Sequence, residues 1–269
     1  MKFTKMHGAG NDFVIINNME EKLSGEELSA LAVRLCAYHT GVGADGLMAV
    51  EKSARGADIA MRFYNRDGSI SEMCGNGARC IARYCCDRGL SGETQRIETI
   101  SGTVIGERIS RTEYRVRLNA PSLIDLHRPV RIDGRDYEVS YIELGMPGLP
   151  HCIVRTEEED RTILRPLGEK LRYHPSFPKG ANVSFVKLPG EDRLRVLTYE
   201  RGVEDFTLAC GTGCGSTVTA LTLLGLVSGN NVAVETDGGL LHVSVDGENA
   251  ENIFLSGPAV TVFEGEWRE

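Results

Sequence analysis

Cys74-Gly75-Asn76-Gly77 and Cys210-Gly211-Thr212-Gly213 are two versions of one phrase, a cysteine followed by two glycines one residue apart, and their reading decides the fold. Each opens a helix-like run, residues 78–88 after the first and 214–227 after the second, closed by Gly89 and by Ser228-Gly229. The cysteines therefore stand at helix N-termini. The flanks stay in step as well. Ile97-Glu98-Thr99 follows the first cysteine as Val234-Glu235-Thr236 follows the second, one residue further on, and Leu118-Asn119-Ala120-Pro121 answers to Leu255-Ser256-Gly257-Pro258. Upstream, Phe63-Tyr64-Asn65-Arg66-Asp67-Gly68 resembles Leu197-Thr198-Tyr199-Glu200-Arg201-Gly202. Gly8-Ala9-Gly10-Asn11-Asp12-Phe13-Val14 faintly echoes Gly148-Leu149-Pro150-His151-Cys152-Ile153-Val154. A long repeat of this kind reads as a duplicated fold.

Around one long helix per half, alternating stretches such as Tyr114-Arg115-Val116-Arg117-Leu118 and Leu240-Leu241-His242-Val243-Ser244-Val245 predict strands. The expectation is an α+β chain of two pseudo-symmetric domains. The first covers residues 1–121 with Cys74 and is rejoined by 263–269; the second covers 122–262 with Cys210.

The bulk properties narrow the function. Of 269 residues, 41% are hydrophobic and 25% charged, the balance of a soluble globular protein. No apolar run is long enough to span a bilayer, and the first residues lack a signal-peptide core, which predicts a cytoplasmic protein without a membrane partner. A net charge of −8 argues against nucleic acid, because no basic surface is available to displace counterions. A polar small molecule remains a fitting partner, since single side chains and local dipoles decide its binding. The eight cysteines lack the paired short spacing of a zinc site, and a disulfide framework belongs to short secreted domains, so they are read as thiols, with no metal expected.

A lone Cys-Gly pair is usually core or turn. Two in register, each opening a helix, call for a chemical reason. A helix N-terminus presents unpaired N–H groups and the positive end of the dipole, which binds anions and lowers a neighbouring thiol pKa. Glycines beside it let a small anion approach the backbone. If a duplicated pair of domains brings the two helix starts together, two thiols flank one carboxylate-bearing carbon. One sulfur then removes a proton from one face while the other delivers a proton to the opposite face. With no pyridoxal or metal signature, the backbone donors must carry the developing charge, each contributing roughly 2.7–4 kcal/mol.

With these motifs, and with Gly41-Val42-Gly43-Ala44-Asp45-Gly46 and Pro178-Lys179-Gly180-Ala181-Asn182-Val183, the chain closely resembles the diaminopimelate epimerase family over essentially its whole length. The resemblance implies two similar domains, each a central helix wrapped by a barrel-like mixed sheet, with the active site between them. It implies inversion of LL-2,6-diaminopimelate to the meso form without cofactor, in lysine and peptidoglycan precursor synthesis, by an enzyme for which a homodimer is expected. Carried over residue by residue, Cys74 and Cys210 are the two bases, with Cys74 taking the proton of the LL substrate. Gly75, Asn76, Gly211 and Thr212 hold the reacting carboxylate. Arg201 pairs with the far carboxylate, Glu200 with an ammonium, and Asn11, Asn65 and Asn182 hydrogen-bond the ligand.

Two departures stand out. The family commonly has Gly-Asn-Pro-His where this chain has Gly148-Leu149-Pro150-His151, and the stretch from Gly202 to Ala209 is one residue longer than usual. The first motivates a neighbouring reading, a two-cysteine racemase of another amino acid such as histidine. A non-catalytic amino-acid-binding protein and a thiol redox sensor are further alternatives. The proline and hydroxyproline epimerases, whose first motif reads Cys-Gly-His-Gly, fit less well. His151 is read as a structural hydrogen-bonder, and the remaining cysteines as packing residues.

Overall fold

Residues 1–71, 73–247 and 249–268 are described by the computed structural model. The chain divides into one unit of Met1–Val116 with Ser256–Glu269 and a second of Arg117–Leu255.

In the first unit the elements are β1 (Lys2–Gly8), β2 (Asn11–Asn17), α1 (Asn18–Glu21), α2 (Gly25–Leu35), β3 (Gly46–Glu51), β4 (Ile59–Asn65), β5 (Ile70–Ser71), α3 (Gly75–Asp87), β6 (Thr94–Thr99), β7 (Gly102–Arg108) and β8 (Glu113–Leu118). Strand β2 runs parallel to β3 and β4 parallel to β6; the pairs β1–β2, β3–β4, β4–β5, β6–β7 and β7–β8 are antiparallel. The sheet is covered on both faces, which explains why β2 reads as the unbroken apolar run Phe13-Val14-Ile15-Ile16. Phe13 and Ile15 pack with Cys80, Ile81 and Tyr84 of α3, while Val14 and Ile16 pack with Leu28, Leu31 and Leu35 of α2. Helix α3 touches β1, β2, β3, β6 and β7, so the sheet wraps it.

The second unit contains β9 (Pro121–Ile132), β10 (Arg135–Leu144), β11 (Leu149–Arg155), α4 (Arg161–Arg172), β12 (Asn182–Gly190), β13 (Arg193–Glu200), β14 (Asp205–Thr207), α5 (Gly211–Leu223), β15 (Val232–Thr236) and β16 (Gly239–Asp246). Its pairings repeat those of the first. Strand β11 is parallel to β12 and β13 to β15; β10–β11, β12–β13, β13–β14 and β15–β16 are antiparallel. Cys152, Val154, Val183, Phe185, Leu197 and Tyr199 face α4 residues Leu164 and Leu171. Helix α5, buried throughout from Gly213 to Leu221, packs on the other side against β10, β11, β12 and β16. Beyond β17 (Asn252–Pro258), β18 (Val260–Glu266) returns to the first unit and pairs antiparallel with β1.

The α+β class and the recurrence of one strand-and-helix order are thus directly visible. The second helix stops at Leu223 and not at residue 227, because Gly225 adopts a left-handed conformation (φ +70°) and Leu226 N–H returns to Leu221 O. All eight cysteines are free thiols, and Cys36, Cys80, Cys85, Cys152 and Cys214 are buried. Among the described residues no helix is long and apolar enough to cross a membrane.

Candidate active site

Each motif cysteine occupies the N-cap of its helix, extended in backbone (Cys74 φ −137°, ψ 121°; Cys210 φ −110°, ψ 105°), with the following glycine as the first helical residue. A Cβ at Gly77 would lie 1.8 Å from Met48 Cε, so a side chain there would displace the end of Met48.

In the first unit, Asn11 is placed by the tight β1–β2 hairpin, whose two central residues Ala9 and Gly10 both have positive φ (51° and 81°). Asp45, just before β3, then orients the Asn11 side chain. Its carboxylate accepts from Asn11 Nδ2 at 2.6 Å and from the Asp12 N–H at 3.1 Å. Asp12 is itself held by the buried Lys5 at 2.6 Å. The Asn11 carbonyl oxygen is thereby turned towards Cys74, whose Sγ donates to it at 3.4 Å, and towards Asn76 Nδ2 at 3.5 Å. Burial pushes the Asp45 carboxyl above its usual range, against the hydrogen bonds from Asn11 and Asp12. Beneath the first turn of α3, the fully buried Arg79 donates to Asn76 Oδ1 (2.9 Å), Gly75 O (3.4 Å) and Pro258 O (3.5 Å). Asn65 ends β4, paired with Gly46, but its side-chain amide donates to Ser69 Oγ within the following turn.

In the second unit, Cys210 is almost fully buried, accepts from Gly213 N–H at 3.4 Å and lies 3.6 Å from Thr212 Oγ1. Burial nevertheless raises its thiol pKa well above the ordinary value, and the charge of Glu200 adds to the rise; the Thr212 and Gly213 hydrogen bonds offset only part. The expectation of a lowered thiol pKa is therefore corrected for Cys210: loss of water outweighs the helix terminus. Glu200, at the end of β13, accepts from Thr207 Oγ1 at 2.8 Å. Asn182, buried at the start of β12, bridges strands: its Nδ2 donates to Pro150 O (3.3 Å) and its Oδ1 accepts the Arg201 N–H (2.8 Å). The Arg201 guanidinium donates to Lys179 O at 2.9 Å. No carboxylate pairs with it among the described residues.

His151 is also corrected. It is fully buried, neither ring nitrogen has a partner among the described residues, and burial, with the nearby charge of Arg201, pushes its pKa down to about 3, so it is neutral. In the β13–β14 turn that follows Arg201, Glu204 takes a positive φ and pairs with Arg172 at 2.9 Å. Asp45 lies inside the quoted Gly41–Gly46 motif and Arg79 inside the first helix-like run, and neither is marked there as a site residue. A charge interrupting the small and apolar residues of α3 was the available signal for Arg79.

A family model described as diaminopimelate epimerase matches residues 3–121 and 144–262. The chain is 38% identical to the diaminopimelate epimerase of Aquifex aeolicus, covering 100% of this chain and 98% of that protein. It is 40% identical to that of Archaeoglobus fulgidus, covering 98% and 95%. Solved structures share the fold at low identity. A probable proline racemase from Agrobacterium radiobacter superposes with a TM-score of 0.71 at 14% identity, covering 99% of this chain and 92% of that one. A hydroxyproline epimerase from Agrobacterium vitis gives 0.70 at 16%, covering 98% and 91%.

Proposed function

This chain belongs to the diaminopimelate epimerase family, an isomerase of lysine biosynthesis that interconverts LL- and meso-diaminopimelate without pyridoxal phosphate, and from that premise we propose that Cys74 and Cys210 are its two bases. The thiolate of one takes the α-proton, leaving the electron pair on the α-carbon and its carboxylate. The thiol of the other delivers its own proton to the opposite face, and the two sulfurs have then exchanged protonation states. Backbone N–H groups at the starts of α3 and α5, from Gly75, Asn76, Gly211 and Thr212, take up the charge that develops on the carboxylate.

The observation that carries this reading is the placement of both cysteines as N-caps of buried helices in equivalent positions of a repeated fold. Arg201, whose guanidinium meets only a backbone carbonyl among the described residues, suits the distal carboxylate as a planar fork. Glu200 suits an ammonium, and Asn11, Asn65 and Asn182 supply the remaining hydrogen bonds. The same reading takes the enzyme as cytoplasmic and homodimeric, on the strength of the family resemblance.

Incubation of LL-diaminopimelate with the reduced enzyme in deuterated water is expected to give meso product carrying deuterium at the inverted carbon. Cys74→Ala and Cys210→Ala are each expected to abolish inversion. Inversion that survives either substitution rejects the two-base assignment.

A further inference from the structure

A closed circuit of contacts in the second unit joins Asn182 and Arg201 to two residues not assigned above, Glu143 and Lys179. Glu143 on β10 stands opposite Pro150 on β11. Pro150 O accepts from Asn182, Asn182 accepts the Arg201 N–H, and Arg201 Nη1 donates to Lys179 O. Lys179 Nζ closes the circuit on Glu143 Oε2 at 2.7 Å. The other carboxylate oxygen of Glu143 accepts from the buried Tyr141 hydroxyl at 2.8 Å, and Tyr141 stacks on Phe177 (5.0 Å) with the Arg128 guanidinium 4.2 Å from its ring centre.

The fold makes concessions to hold this carboxylate. The Glu143 side chain is only 11% exposed, and burying an ionised group costs several kcal/mol unless its partners are well placed. Gly148 is bare at the point of approach, since a Cβ there would lie 2.2 Å from Glu143 Oε2. The Lys179 side chain is half-exposed, so its ordering comes from Glu143, and its own carbonyl is the only protein acceptor of the Arg201 guanidinium among the described residues. With Nη1 committed to that carbonyl, the edge formed by Nε and Nη2 is left for a ligand.

We infer that Glu143 is a positioning residue for the reaction: through Lys179 it fixes the Arg201 guanidinium in the orientation that receives the distal carboxylate of the substrate. Leu149, beside the circuit, offers no side-chain hydrogen bond, so this orientation carries a larger share of recognition. The inference rests on the assignment of Arg201 above.

Steady-state kinetics of Glu143→Gln, Lys179→Met, Lys179→Arg, Arg201→Met and the double variant Glu143→Gln/Arg201→Met test it, with thermal melts to confirm folding. Glu143→Gln and Lys179→Met are expected to raise KM for LL-diaminopimelate roughly tenfold, the worth of one charge-assisted hydrogen bond, with little change in kcat. Lys179→Arg keeps the ion pair and should stay near the parent. In the Arg201→Met background, Glu143→Gln should add no further rise, because the group it orients is gone. If Arg201→Met leaves KM unchanged, the assignment of Arg201 falls and this inference with it. If Arg201→Met raises KM while Glu143→Gln and Lys179→Met do not, or if the effects add in full, the inference alone falls. Lys179→Met, at a half-exposed side chain, keeps the test open should Glu143→Gln fold poorly.

Discussion

Five residues past its cysteine, α3 carries Arg79 and α5 carries Gly215. The first is the largest fully buried side chain of the molecule, tethered to two groups of its own first helical turn and to Pro258 O. At the second, a Cβ would lie 2.5 Å from Leu118 Cδ1, so the helix approaches its neighbours as closely as a missing side chain permits. Duplication has preserved where each helix begins and left open how it is held: by a buried cation in one unit, by bare backbone contact in the other. The surroundings of the sulfurs diverge with it. Cys74 gives its hydrogen bond to an amide oxygen that Asp45 has oriented, whereas Cys210 receives one from Gly213 and feels the negative charge of Glu200.

The contrast is open to direct attack. Arg79→Ala strips the Asn76 side chain, Gly75 O and Pro258 O of a donor and leaves a cavity, and should cost about 3 kcal/mol or more in urea unfolding. A loss under about 1 kcal/mol would show that the buried cation does not hold α3. Gly215→Ala should cost about 1–3 kcal/mol through overpacking, and Leu118→Ala should recover part of it; additive losses would deny the close approach. Asp45→Asn frees the Asn11 amide to turn over, and kcat should fall on the order of tenfold while the melting temperature holds, as expected of a misoriented partner to Cys74. The smallest effect is expected for Glu200→Gln. Removing a negative charge favours the thiolate, so alkylation of Cys210 by iodoacetamide in a Cys74→Ala background should begin at lower pH. An unmoved profile would leave burial alone as the cause of the raised pKa.

Much of this was legible in the sequence, and the reason is local. A cysteine before a spaced pair of glycines announces a helix start, and its recurrence in register exposes the repeat, which fixes the α+β class. Partners brought together by pairing of distant strands leave no such trace. Glu143 and Lys179 meet because β10, β11 and β12 lie side by side, and neither residue sits in a pattern that points to the other. The sign of the Cys210 shift was hidden for a related reason: a helix terminus is visible in sequence, while the depth at which it is buried is a property of the packed fold. The passages between units fall within strands β8 and β17, where alternation continues and no loop composition marks them.

The return of β18 to β1 has a consequence for how the chain is made. Synthesis runs from the N-terminus, so residues Arg117–Leu255 emerge as one uninterrupted stretch and have everything needed to collapse on themselves. The first unit begins earlier and finishes later. Until Val260–Glu266 leave the ribosome, the β1 side of its sheet lacks that neighbour and exposes unsatisfied backbone groups to other nascent chains. The half translated first is thus the one completed last, and the interval between is when a chaperone has most to protect.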